Sequence, residues 1–114
     1  MSIQAGRLRH HVTFEQRGFS QNPDTGEMLP GEWAQAFKAW AAVEPMSTRE
    51  VIAARERSSA ASHRIVIRYR AGVDAQMRVV YRGVVYEIIG DPLPDKESGR
   101  EYLTIMASTG LTNG

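Results

Sequence analysis

Three histidines are the side chains in this sequence most suited to chemistry: His10 and His11 side by side near the start, and His63 in the middle. A metal site needs several imidazole, carboxylate or thiolate donors converging on one point. His10 and His11 lie in an alternating segment, so they point to opposite faces of a strand and cannot share one ion without a bulge. There is no HExxH pattern, no paired carboxylates at ligand spacing and no cysteine. His10 and His63 are therefore expected as rim histidines on apolar faces. Ser58, Ser59 and Ser62 sit in a small-residue stretch without a nucleophile elbow. The glycines form neither GxGxxG nor GxxxxGK[ST], so no nucleotide cradle is present. The expectation is a protein with no catalytic residue, no metal and no cofactor.

What remains is charge, carried almost wholly by arginine. Net charge is only +1, which argues against a polyanion binder working by bulk attraction. Twelve Arg stand against two Lys, Lys38 and Lys96. Guanidinium pairs with carboxylate or phosphate through two bonds and stacks on aromatics, where an ammonium acts as a mobile point charge. In SHRIVIRYRAG, His63, Ile65, Ile67 and Tyr69 alternate with Arg64, Val66, Arg68 and Arg70, giving a strand with one apolar and one guanidinium-rich face. Arg78 and Arg82 lie on or beside the next strand. If the two strands pair, all five arginines share one wall, suited to a phosphate backbone or to acidic groups of another subunit. Tyr69 and Tyr81 fall opposite the arginines, so the pattern lacks the interleaved aromatics that stack on bases.

The elements that must carry these residues read as mostly β. Arg9–Arg17 alternates as a strand. Residues 18–31, with Pro23, Pro30 and an Asp-Thr-Gly signal, form a long polar loop or the tip of a long hairpin. Trp33–Pro45 is taken as a strand although its alanines also suit a helix. Residues 46–62 differ: Ser47 and Glu50 form a capping box ahead of good helix formers. With only Val51 and Ile52 as large apolar residues, this helical arm needs support from the body or from a partner. Strands follow at Ile65–Arg70, Met77–Tyr81, Val84–Ile89 and Arg100–Ala107, with Arg82-Gly83 as a bend. A charged loop spans Asp91–Gly99, and 108–114 is a flexible tail.

About six strands with antiparallel connections and one short helix predict a small antiparallel β-barrel with a helix or loop arm. At 114 residues the chain is a single domain, its core over about 6–107, burying roughly two-thirds of its unfolded surface. The start has no secretory h-region, and the longest apolar run, Ala39–Val43, is too short for a bilayer. The absence of cysteine suits a reducing compartment.

Taken in order, AGRLRHHVTFEQR, EWAQAFKAWAAVEP, STREVIAA, SHRIVIRYRAGV, RVVYRGVVYEIIG and REYLTIMA resemble the head–tail adaptor, or head-closure, family of tailed phages and prophages, over about 6–107. The most telling pieces are Gly6, Leu8, Arg9 and His10, the Trp40-Ala41-x-Val43-x-Pro45 run, Arg49-Glu50, and His63 to Tyr69. The resemblance implies a non-catalytic virion protein, made in the bacterial host cytoplasm. It implies a β-barrel subunit of a ring joining the portal or its adaptor to the tail, with genomic DNA passing through without sequence readout. The arm 46–62, with Arg49, Glu50, Arg55 and Arg57, would contact neighbouring subunits or face the channel. A ring needs two different complementary patches. The acidic one is expected at Asp91, Asp95, Glu97 and Glu101, facing Arg55, Arg57 or the Arg64/Arg68 wall. The competing readings are a tail-completion or tail-terminator protein and a free nucleic-acid-binding barrel.

Overall fold

The computed structural model describes residues 8–109; of the expected flexible tail, Ser108 and Thr109 instead pair with Glu87 and Tyr86 as the end of the last strand, and the rest lies outside the described residues. Its strands are β1 (His10–Gln21), β2 (Met28–Pro45), β3 (His63–Arg68), β4 (Arg78–Tyr81), β5 (Val84–Ile88), β6 (Leu93–Pro94) and β7 (Tyr102–Thr109), with one helix, α1 (Thr48–Glu56). Neighbours run β3-β2-β1-β4-β5-β7, and β7 pairs back onto β3 from His63↔Ala107 to Arg68↔Tyr102. Every pairing is antiparallel, so six strands close a barrel and the two-residue β6 is a tag on β7. Closure leaves the wall without a free edge where the ring is complete.

Period-two alternation decides what fills the barrel. Val12 and Phe14 from β1, Ala41 from β2, Ile65 and Ile67 from β3, Val79 from β4 and Leu103, Ile105 and Ala107 from β7 form one buried cluster. Phe14 stacks on Phe37, its partner on β2, with ring centroids 4.5 Å apart. A six-stranded barrel is narrow enough for side chains to fill it, leaving a packed core rather than a channel. Val66, expected on the guanidinium face of β3, is also fully buried, in a smaller cluster with Leu8 and Ala42 on the other side of the sheet.

β1 and β2 outrun the barrel. β1 pairs with β4 only over Thr13–Glu15, and β2 with β3 only over Ala41–Pro45. Beyond that, among the described residues, Gln16–Gln21 and Met28–Ala34 pair with each other alone, as a two-stranded arm turned by residues 22–27. Most of the stretch 18–31, read from sequence as loop or hairpin tip, is therefore strand. Its proline and glycines are tolerated because a ribbon has open edges. Gly31 has a stricter reason: a Cβ there would stand 3.0 Å from the Gly18 carbonyl oxygen across the ribbon. The arm accounts for much of the molecule's elongation, 53 × 30 × 26 Å.

The expected helical arm contains α1, nine residues begun by the Ser47 capping box: the Ser47 hydroxyl accepts from Glu50 N–H and Glu50 Oε1 accepts from Ser47 N–H. It ends at Arg57, with Ser58 at φ 60° reversing the chain. Only Ala54 of α1 is fully buried. Among the described residues no helix is long and apolar enough to cross a membrane.

Candidate functional site

The barrel interior is taken up by apolar side chains, so any work this chain does falls to its outer surface. Among the described residues no group of three His, Asp or Glu side chains is placed to hold a metal ion. The histidines engage aromatic rings: His10 lies edge-on to Tyr81 and bonds its hydroxyl, His63 lies edge-on to Tyr86, and His11 stacks on Trp40.

The five arginines do not gather on one wall. β3 and β4 do not pair; two strands separate them around the ring in either direction, β2 and β1 one way and β7 and β5 the other. Strand pairing, which alternation alone cannot fix, overrides the sequence expectation. Arg64 turns toward α1 and donates to Glu50 at 2.9 Å, joining the expected basic face to the expected arm inside one subunit. The Glu50 carboxyl is held below its ordinary range, first by the Ser47 N–H and hydroxyl and then by Arg64. Arg70 lies 3.6 Å above the Phe37 ring, and Arg82, in the turn after β4, lies 5.1 Å from the Tyr81 ring. Arg68 is exposed on β3.

Arg78 has a different task, at the base of the hairpin arm. Its Nε donates to Glu15 Oε1 at 2.8 Å, and its guanidinium sits 4.3 Å from the centre of the Trp33 ring. Arg17 covers Trp33 too, at 5.0 Å. Trp33 thus holds two cations, one from the arm and one from the barrel, tying the ribbon's root to β4. Alternation gave no sign of this cluster, because it forms between residues far apart in sequence.

The acidic group divides as well. Asp91, Glu97 and Glu101 are exposed. Asp95 is consumed by its own loop: its carboxylate accepts from the N–H groups of Ser98 (2.8 Å), Gly99 (3.2 Å), Glu101 (2.8 Å) and Tyr102 (3.1 Å). The Ser98 and Glu101 N–H groups above all hold its carboxyl well below the usual carboxylate range. Its lone pairs are committed to the backbone, and Lys96 and Arg100 dilute the remaining acids.

Two surfaces lay outside the sequence reading. Trp40 is 58 % exposed on the outer wall, stacked on His11 at 4.7 Å; its even position against Phe37, Ala39 and Ala41 was the available signal. The arm tip exposes Phe19, Met28 and Leu29, large apolar residues that a loop reading leaves without direction.

The whole barrel with both arms matches known proteins. The sequence profile of the phage head completion protein family matches residues 3–110. The head completion protein gp16 of Bacillus phage SPP1 is 32 % identical over 82 residues, covering 72 % of this chain and 73 % of that protein. The solution structure of a protein from Shigella flexneri 2a superposes with a TM-score of 0.78 at 32 % identity, covering 96 % of this chain and 98 % of that one. A chain in the virion of a native gene transfer agent particle shares the fold at 12 % identity, with a TM-score of 0.59 over 91 % of this chain and 96 % of that chain. With a closed barrel, a projecting hairpin and a capped helix all inside the matched span, this chain belongs to the phage head completion protein family.

Proposed function

We propose that this chain is a non-catalytic subunit of a head-closure ring in a tailed-phage virion, made in the host cytoplasm and seated between the portal or its adaptor and the tail. The observation that carries this reading is the family match across residues 3–110, which takes in the filled barrel and both of its arms. A barrel packed with side chains offers no internal cleft for a substrate, while the hairpin and helix reach outward to neighbours. Genomic DNA passes through the ring without sequence readout: the exposed arginines, Arg49, Arg55, Arg57 and Arg68, face phosphate or neighbouring subunits only once several copies converge.

In a phage lacking this gene, filled heads should accumulate without tails and lose DNA. Adding purified chain to those heads and to separately made tails should restore infectious particles. If the added chain restores nothing and the deletion leaves joined particles intact, the reading is wrong. A low-salt titration of the isolated chain with duplex DNA should show little binding; tight binding by the monomer would favour the free nucleic-acid-binding barrel instead.

A further inference from the structure

The hairpin tip and the helix expose opposite chemistry. At the tip, Phe19 is 61 %, Met28 60 % and Leu29 39 % exposed. Asp24, Glu27 and Glu32 stand among them, and from position 18 to 37 there is no Lys or Arg. Met28 and Leu29 stand on a two-stranded ribbon beyond the barrel, and Phe19 keeps most of its surface in solvent although it borders a groove with Gln76 and Met77, so this apolar surface serves the ribbon's own fold little. Helix α1 is basic instead: Ile52 is 52 % exposed, Arg49 and Arg55 share its face in solvent, and with the cap residue Arg57 they outnumber Glu56, the exposed acid of that turn. The eighteen residues of β2 run between tip and helix, so a molecule's own tip does not reach its own α1.

We infer that the arm tip of one copy docks on α1 of the next copy in the ring. Phe19 and Met28, which share one face of the ribbon, pack against Ile52, with Asp24 and Glu27 facing Arg49 and Arg55. This contact rests on the ring reading above and names its interface. It joins two different patches, the heterologous geometry that closes a ring when the rotation allows. The apolar groups supply the buried area, and the charges set direction: tip repels tip and helix repels helix, which disfavours symmetric pairs. The loop 91–101 is the weaker counterpart, since Asp95 is spent on its own backbone and two cations lie among its acids.

Charge swaps test it. In a phage lacking its own copy, one plasmid supplies the D24K/E27K variant and another the R49E/R55E variant. Each alone should cut infectious particles at least tenfold, and both together should restore them, because the reversed tip then meets the reversed helix. If each swapped chain alone supports normal titres, the contact does not exist, although head completion by this chain stands. Loss that co-expression does not repair assigns the patches to another virion protein and overturns the copy-to-copy contact. If even the unswapped chain fails to restore particles, it is the ring reading that falls. A second readout keeps the native charges: the chain has no cysteine, so M28C/I52C particles should give a disulfide ladder on oxidation, and each single variant none. Ladders no stronger than those of the single variants would overturn the contact.

Discussion

Replacing Trp33 by Ala should loosen the hairpin arm while leaving the barrel folded. The indole is half-buried at the arm's root, held by Arg17 at 5.0 Å and Arg78 at 4.3 Å, and Arg78 is anchored to Glu15. Two cation–π contacts near the surface contribute about 0.5–1 kcal/mol each. Partial burial of the indole adds on the order of 1–2 kcal/mol. The loss of about 2–4 kcal/mol falls on a unit that pairs with nothing beyond itself, so local opening takes most of it. Amide hydrogen exchange is the assay. Exchange in the outer ladder, at Ser20↔Leu29 and Gln21↔Met28, should speed up roughly thirty- to a thousandfold at 1.4 kcal/mol per decade. Amides of Val66 and Ile105, fully buried in the closed ring, should keep their protection. If arm exchange is unchanged, or if arm and barrel amides accelerate together, Trp33 is not the clamp described.

Ile105→Ala empties a fully buried position on β7, the strand that closes the ring against both β3 and β5, and should lower unfolding free energy by about 2–5 kcal/mol in urea titration. Ser47→Ala removes the hydroxyl that accepts from Glu50 N–H and should cost about 1 kcal/mol, read as faster amide exchange in α1 with the barrel unaffected. Asp95 predicts a pH dependence with a fixed sign. Its carboxyl binds protons less readily folded than unfolded, so it contributes stability above the ordinary carboxylate value near pH 4, and that contribution fades as pH falls below it. Asp95→Asn should therefore flatten the acid limb of a stability profile; an unchanged limb would place the acid sensitivity elsewhere.

Much of the local structure was legible because its causes are local. The Ser47–Glu50 box, the alternation of Ile65 and Ile67 and the Arg82-Gly83 turn depend on a few neighbouring residues. At the turn both residues take positive φ, 53° and 78°, the condition of a tight two-residue hairpin. Alternation says which side chains share a face of one strand, never which strand lies alongside it. The single arginine wall failed there, because β3 found β2 and β7 as partners while Arg78 rode on β4. Residues 18–31 were underread for a related reason: their Pro, Gly and Asp weigh against a strand inside a sheet, yet a free ribbon tolerates them.

Charge counted by position also conceals who already holds it. Arg64 answers Glu50, Arg78 answers Glu15, and Asp95 answers its own loop, so four of the thirteen expected contact groups are engaged within the subunit. Bonds made within the subunit shape the arms; they leave little attraction over for a neighbour. Among the groups left facing solvent, acids stand with apolar residues on the hairpin tip, while Arg49, Arg55 and Arg57 outnumber Glu56 around Ile52 at α1. A fold that spends its apolar interior on closing a narrow barrel can recognise partners only with what projects from it. Here two projections of unlike charge, separated by the length of β2, are the surfaces that the proposed head-to-tail contact uses.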